Sequence, residues 1–418
     1  MSAMATAVQN SVVARDEGHD NRPAPVTLGA GAAALFGGGV VLAMLVLPPL
    51  HLALLCANAL MAFWLSRRSW TWVRKYTSFY LAQTVYFCAL FHFPRPGYER
   101  HALFRHVLPQ GPYFYFLWSA VEVVAVLKLL DFVLCRTERR DPAEFSLPRL
   151  GFFLLFPFAF FAGPVIGFEE FYNGYRRVRP GLPDVVYAAR KSVWGILQLF
   201  VLAPWLQAFV LAQRESVRAG TGLAAAGDPR LVMWLWIAGM SVLLYIIYKG
   251  YTDLMLGASR LAGFRFPEQF WFTLFAKDPA EYWQNGNRGV YRITSQYIFN
   301  RMFDRKRLAP KAVWTTGSSG VAHSLMCPGI TLGGTILLGV LFGMTGLVVA
   351  LIQRLRSTRV ATWSGWPREG TAHNALVIAG VVLTFALMSF PRSGFLLIVE
   401  GVSPPQWLQL VRLLFVRT

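Results

Sequence analysis

The sequence predicts an all-α polytopic membrane protein with about 8–11 transmembrane or re-entrant helices. Hydrophobic residues make up 55% of the 418 residues, charged residues make up only 15%, and the mean hydropathy is +0.44. Soluble proteins carry about 25% charged residues, so this chain has too few to cover a surface that faces water. The composition therefore excludes a disordered chain, a collagen-like chain and a soluble α/β enzyme.

The distribution of charge indicates which loops face the cytoplasm. The chain has 40 Lys and Arg against 21 Asp and Glu, for a net charge of +19. The basic residues lie in short gaps between apolar runs, which is typical of loops at an anionic leaflet and not of a nucleic-acid-binding face. Counting Lys and Arg places 66–75, 135–149 and 249–311 inside, and with them the N-terminus, so we expect no nucleic-acid partner.

The N-terminal part is predicted to be a tail followed by spans. Residues 1–27 are polar and of mixed charge, which predicts a flexible tail without a cleavable signal peptide. The apolar run 28–47 can cross a bilayer, and Pro48 and Pro49 separate it from a second run that ends at Leu65. Residues 28–149 are therefore predicted to form the N-terminal transmembrane helices. The further apolar stretches are 76–93, 112–134, 150–168, 191–212, 231–249, 312–327, 330–352 and 371–390.

Two of these stretches have the composition of broken helices. Residues 150–168 contain Pro157, Gly163 and Pro164, and residues 312–327 are rich in Gly and Ser. A broken helix at membrane depth needs protein or a water-filled cavity around its backbone, so both stretches are predicted to lie inside the bundle. Residues 331–418 are predicted to form C-terminal transmembrane helices and an interfacial tail, which begins near Pro404.

His323 is the polar residue in apolar sequence that points most directly to chemistry. It follows a run of small residues that includes Ser319 and Gly320. A histidine at membrane depth can accept and return a proton without holding a permanent charge. The alternative is a structural histidine that bonds to a neighbouring helix. The four cysteines have no Cys-x-x-Cys or Cys/His spacing, so no metal site is predicted.

The stretch 249–311 is basic and rich in aromatic residues. It carries eleven Lys and Arg against five acidic residues, and it contains no clear span. One interpretation is an amphipathic anchor in the membrane interface. However, Asp253 and Glu281 lie beside aromatic residues, and glycines stand at 257 and 263. This pattern favours packed helices.

Three sequence blocks between 150 and 330 resemble the membrane-bound O-acyltransferase (MBOAT) family. The blocks are Phe156-Pro157 with Ala162-Gly163-Pro164 and Phe171; Tyr251-Thr252-Asp253 with Pro267-Glu268-Gln269-Phe270; and Glu281-Tyr282-Trp283 with Asn287, followed by His323. In order and spacing they are most similar to the family's bacterial branch, which includes membrane proteins of alginate O-acetylation and teichoic-acid D-alanylation. The resemblance implies an MBOAT-like bundle with a central tunnel, a catalytic core at 150–330 and a place in the inner membrane.

The resemblance also implies roles for individual residues. His323 matches the family's buried histidine, the general base, and Asn287 stands where the family has His or Asn. The chain departs from the family pattern at Gln284-Asn285-Gly286, where Arg-Arg-Trp is usual, and at Ala322, where Trp is usual. The residues expected to bind substrate are Arg288, Arg292, Tyr282, Trp283, Asp253 and Ser319.

The implied reaction is acyl transfer from a cytoplasmic thioester to a hydroxyl group. The donor would be acyl-CoA or an acyl carrier thioester, and no permanently bound cofactor is expected. The acceptor would be a cell-envelope glycan, a polymer or an extracytoplasmic partner. Expected partners are membrane lipids, the acyl donor, a hydrolase-like or acyltransferase partner outside the membrane, and an acyl carrier protein.

Three alternatives stay open from the sequence. The first is transfer of a long acyl chain to a lysolipid or another lipid alcohol, which Asn287 favours. The second is a transporter, for which Glu122, Lys128 and Asp131 are the candidate charged residues within an apolar run. The third is a non-catalytic membrane scaffold, which the missing Arg-Arg-Trp favours.

Overall fold

The computed structural model describes most of the chain. The described residues are 30–92, 120–138, 145–175, 180–219, 228–301, 307–324, 331–356 and 370–399, with 405, 407, 408 and 412. Within them the elements are helices, with one isolated antiparallel bridge between Tyr175 and Phe264. The predicted tail 1–27 lies outside the described residues, as does nearly all of the predicted interfacial tail.

The helices, numbered in chain order, follow the apolar runs of the sequence. They are α1 (Ala30–Val46), α2 (Pro49–Arg67), α3 (Trp72–His92), α4 (Val121–Glu138), α5 (Leu147–Leu154), α6 (Phe168–Gly174), α7 (Leu182–Ile196), α8 (Ala203–Ala219), α9 (Pro229–Leu261), α10 (Pro279–Asn285), α11 (Arg288–Thr294), α12 (Leu308–Ser324), α13 (Leu332–Arg356) and α14 (Gly370–Val399). A π-helical turn at Leu197–Leu202 joins α7 to α8, and another follows α11 at Ser295–Phe299.

Five helical segments are long and apolar enough to cross a membrane. They are Pro49–Arg67, Leu182–Gln213, Arg230–Leu261, Leu332–Leu355 and Thr371–Pro391. Each leaves large apolar side chains exposed, such as Trp205 and Ile378, and lipid is the solvent that suits such a surface. These helices agree with the predicted multi-pass, all-α membrane protein.

Helix α9 continues beyond the apolar run that predicted it. The run ends at residue 249, but the helix reaches Leu261 without a break. Lys249 and Asp253 form an ion pair one turn apart, and Lys191 of α7 donates to Asp253 Oδ1 at 2.8 Å. These pairings neutralise the charges, so the helix extends into sequence whose hydropathy alone indicates a loop.

The predicted break in 150–168 is confirmed. Helix α5 ends at Leu154, a 3₁₀ turn spans Pro157–Ala159, and α6 begins only at Phe168. Two buried charges of α4 satisfy the freed backbone groups. Lys128 Nζ donates to the carbonyls of Phe153 at 3.1 Å and Ala159 at 2.6 Å, and Asp131 accepts from the Phe168 amide at 2.6 Å. Two of the charges considered for transport therefore have structural roles.

The predicted break in 312–327 is wrong for the described residues, because α12 runs continuously to Ser324. The glycines serve close packing against α13. A Cβ atom at Gly320 would lie 2.4 Å from the Leu338 carbonyl oxygen, and one at Gly346 would lie 2.4 Å from the Ala312 carbonyl oxygen. Contacts this short leave no room for a side chain. Small residues let membrane helices approach to this distance, so the pattern indicates a helix interface.

A cluster of buried phenylalanines fixes the broken segment to the loop after α9. The rings of Phe156 and Phe264 lie 4.6 Å apart between centroids, and the rings of Phe171 and Phe264 lie 5.2 Å apart. All three side chains are fully buried. Two of the blocks that resemble the MBOAT family therefore pack on each other in the core.

Candidate active site

The described helices line a partly open cavity of about 1230 Å³. Its walls come from α3, α4, the broken segment, α9 to α14 and the loops between them. It follows α12 from Leu308 to His323, which is about 22 Å at 1.5 Å per residue. Small-molecule sites are usually about 300–1,000 Å³, so this cavity can hold an elongated ligand.

The lining is almost entirely apolar and carries no permanent charge. Among the described residues that form the wall there is no Asp, Glu, Lys or Arg. The polar side-chain groups are hydroxyls, amides, indole N–H groups and one imidazole, that of His323. Histidine is the side chain that ionises near neutral pH. In this wall it is therefore the group suited to exchange a proton with a ligand.

His323 lies in the last turn of α12, and the helix backbone orients its ring. Its Nδ1 atom is 2.6 Å from the Ser319 carbonyl oxygen and 3.4 Å from the Ser319 hydroxyl. A carbonyl oxygen can only accept, so Nδ1 carries the proton and Nε2 carries the lone pair. The Phe342 ring of α13 packs on the imidazole at 5.1 Å between centroids. The ring therefore has a defined orientation and a basic atom at Nε2.

Asn287 lies on the same cavity wall, at the start of α11. Its backbone is left-handed, with φ 49° and ψ 66°, a conformation that asparagine adopts more readily than most residues. Its side-chain Oδ1 accepts from the Val290 amide at 3.4 Å and caps α11. Its Nδ2 atom makes no hydrogen bond with a described residue. Capping therefore uses one end of the amide and leaves the donor end for another role.

Backbone hydrogen bonds tie the residues on both sides of Asn287 to the loop after α9. The Arg288 amide donates to the Gln269 carbonyl at 2.8 Å, and the Trp271 amide donates to the Asn285 carbonyl at 3.0 Å. A Cβ atom at Gly289 would lie 1.8 Å from the Val165 carbonyl oxygen. Helix α11 therefore lies directly on the broken segment, and its start is positioned from two sides.

Tyr282 and Trp283 of α10 complete this part of the wall. Tyr282 is buried, and both side chains line the cavity. The Trp283 ring lies 6.2 Å from the ring of Phe342, which also packs on His323. The structure therefore brings together five predicted site residues, which are His323, Asn287, Ser319, Tyr282 and Trp283.

The structure places the other three predicted site residues away from the cavity wall. Arg288 is exposed, and Asp253 is buried in its ion pairs with the two lysines. Arg292 pairs with Glu170 of α6. Burial acts to lower the pKa of Arg292, but the charges of Glu170 and Asp131 outweigh it and raise that pKa above its usual range. Arg292 is therefore a charged contact between α11, α4 and α6.

Some cavity residues lie outside the predicted core 150–330. They come from α3, α4, α13 and α14, and examples are Phe79, Gln83, Leu127, Phe342 and Met388. One of them carries a signal in the sequence, because Gln83 is an amide within an apolar run. Gln83 exchanges two hydrogen bonds with Asn58 of α2, at 3.0 and 2.8 Å. Apolar lining residues such as Phe342 have no such signal.

Two further findings bear on the identity of the site. Among the described residues no group of three or more His, Cys, Asp or Glu side chains could hold a metal ion. The chain matches no protein-family model, and no curated protein shows significant similarity to it. The site geometry and the motif resemblance are therefore the basis for a functional proposal.

Proposed function

We propose that this protein is a membrane-embedded O-acyltransferase with His323 as its general base. One observation carries the proposal. Asn287 caps the start of α11 and His323 lies in the last turn of α12, yet both line one cavity. Among the described residues of its wall, His323 supplies the imidazole and no side chain carries a permanent charge. The MBOAT-like motifs contain the same two residues, and this resemblance supports the same reaction.

The proposed step transfers an acyl group from a thioester to an alcohol. His323 Nε2 accepts the hydroxyl proton while the alcohol oxygen attacks the thioester carbonyl carbon. The tetrahedral intermediate then collapses, the carbon–sulfur bond breaks, and the thiolate leaves. The imidazolium returns the proton to this thiolate, so the products are an ester and a thiol, and His323 is again neutral.

Asn287 would stabilise the intermediate. Its Nδ2–H group is a neutral donor at the cavity wall, which suits the negative charge that develops on the carbonyl oxygen. An apolar wall strengthens this contact, because little water competes for the oxyanion. The exposed neighbour Arg288 is suited to the phosphates of a coenzyme A donor, whose charge the uncharged cavity wall does not match.

The acceptor would be a cell-envelope glycan or polymer, or an extracytoplasmic partner that passes the group on. A second candidate function is the transfer of a long acyl chain to a lipid alcohol, and one observation favours it. The wall is apolar along α12, and such a surface binds an acyl chain better than a glycan, which needs many hydrogen bonds.

The test uses purified protein in detergent with labelled acetyl-CoA and palmitoyl-CoA. Acceptors would be a lysophospholipid and an envelope glycan fraction. Labelled ester that forms in wild type and is lost in His323→Ala is the expected result. Ester from acetyl-CoA and glycan alone would reject the lipid candidate. Turnover in His323→Ala equal to that of wild type would reject His323 as the general base.

A further inference from the structure

A cluster of arginines and aromatic rings lies where α2 turns into α3. It consists of Trp64, Arg67, Arg68, Trp70 and Arg74, and we call it the Arg–Trp turn. The three arginines are exposed, and none is within ion-pair distance of a described carboxylate. Three positive charges therefore lie within residues 67–74 at the surface, and such a concentration of one sign favours the binding of an anion.

The guanidinium groups are held by aromatic rings. Arg68 lies over the Trp64 ring at 4.2 Å, Arg74 lies over the Trp70 ring at 4.2 Å, and Arg67 lies over the Phe63 ring at 4.9 Å. Stacking uses the face of a guanidinium, and its N–H donors remain at the edge. The donors can therefore reach an anion without a large loss of side-chain freedom.

Contacts inside the turn fix the distance between these groups. The Trp64 and Trp70 rings meet edge to face, with centroids 5.6 Å apart. Below them the buried Lys75 donates to the Ser66 carbonyl at 3.3 Å, and the Thr71 hydroxyl accepts from the Arg74 amide at 3.4 Å. The two arginines that stack on tryptophan therefore belong to one preformed surface.

The position of the turn indicates the source of the anion. The candidate span Pro49–Arg67 ends at the first arginine of the cluster. Tryptophan rings and basic side chains at the end of a span lie at the level of lipid headgroups. Planar guanidinium groups bind phosphate oxygens in pairs.

We infer that the Arg–Trp turn is a binding site for the phosphate of an anionic phospholipid. This site is separate from the cavity, and it does not depend on the proposed acyl transfer. In the orientation predicted from charge, lipid bound here joins the α2–α3 turn to the cytoplasmic leaflet.

The experiment is native mass spectrometry of the full chain in detergent. The protein is mixed with equal amounts of phosphatidylglycerol and phosphatidylcholine that have the same acyl chains, and the ratio of the two adducts is counted. Each basic group at a membrane surface contributes about fivefold to anionic lipid binding. The variant with Arg67→Gln, Arg68→Gln and Arg74→Gln should therefore lose at least tenfold of the wild-type preference.

Two control variants separate this site from general charge. Arg230→Gln removes a partly exposed arginine at the end of another span, where Asp228 already pairs with it at 2.7 Å, and should change the ratio less than twofold. Replacing the three arginines by lysine keeps the charge but removes the planar guanidinium groups that lie over the rings. This variant should lose an intermediate part of the preference for phosphatidylglycerol. A triple-lysine variant with the wild-type preference for phosphatidylglycerol would overturn the role of the guanidinium groups that lie over the rings.

Other outcomes also decide the inference. A wild-type protein without preference for phosphatidylglycerol would overturn it, and so would a triple-glutamine variant that keeps the preference. Displacement of the bound lipid by coenzyme A, by inorganic phosphate or by a short RNA would reassign the turn to a soluble anion. Retention of the lipid in their presence supports a headgroup site.

Discussion

The Nδ1 atom of His323 lies 2.6 Å from the backbone carbonyl oxygen of Ser319, one helical turn earlier. The Ser319 hydroxyl is farther from the same atom, at 3.4 Å. The tautomer of the imidazole therefore depends mainly on the α12 backbone and less on the side chain at 319. This relationship separates the contributions of the two residues in an experiment.

His323→Ala should lower acyl transfer by about 10² to 10⁴-fold, because it removes the general base. Ser319→Ala should lower it less than tenfold, since the carbonyl that orients the ring stays in place. Initial rates with labelled thioester measure both effects, and the thermal midpoint of each variant tests folding. Equal losses in the two variants would contradict backbone control of the tautomer.

Replacement of Asn287 by Asp should separate capping from catalysis. The carboxylate keeps an acceptor for the Val290 amide but has no N–H donor for the oxyanion. We expect turnover to fall by about 10² to 10³-fold, the usual effect of losing one oxyanion donor, with an unchanged thermal midpoint. Asn287→Gly serves as the comparison, because glycine permits the positive φ but loses both the cap and the donor. If Asn287→Asp keeps full turnover, the amide is only a helix cap.

Gly320→Ala should destabilise the protein, whereas Gly343→Ala should not. A Cβ atom at 320 would meet the Leu338 carbonyl oxygen at 2.4 Å, which forces α12 and α13 apart. The same atom at 343 would have its nearest neighbour at 3.5 Å, an ordinary contact. Overpacking of this kind costs about 1–3 kcal/mol, and thermal unfolding in detergent measures it. A lower midpoint for Gly343→Ala than for Gly320→Ala would contradict the described helix interface.

Asp253→Leu should destabilise the protein because it leaves Lys191 and Lys249 without their shared partner. Breaking a buried ion pair costs about 3–5 kcal/mol. The double variant with Lys249→Leu should recover part of this loss, because Lys249 then no longer leaves an unpaired charge, whereas Lys191 keeps Glu268 as a partner in either case. A double-mutant cycle on the unfolding free energy measures the coupling. A loss in substrate affinity with unchanged stability would instead support the predicted role of Asp253 in substrate binding.

Sequence and structure agree where local composition decides the conformation. Pro157, Gly163 and Pro164 predict a broken segment, and the chain breaks there. Apolar length predicts the spans, because backbone groups in lipid must be satisfied within a helix. His323 could be selected because a polar residue in apolar sequence requires a reason, whereas Asn287 was selected through the motif resemblance.

Predictions were less successful where distant contacts decide. The glycines of 312–327 indicate a break when read alone, but in the folded chain they face Leu338 and its neighbours on α13. Likewise, Lys249 marks the end of an apolar run, but α9 continues because Lys191, far away in sequence, helps to neutralise Asp253. Phe342 orients the His323 ring by packing on it. The local sequence around Phe342 does not indicate this contact.

The cavity wall includes Phe79 near one end of the described chain and Met388 near the other. The predicted core 150–330 therefore contains the two reactive candidates but not the whole chamber. Produced as a separate fragment, this core would lack the faces that α3, α4, α13 and α14 supply. Biosynthesis imposes the same condition, because the chamber closes only after the ribosome has translated the last of these helices.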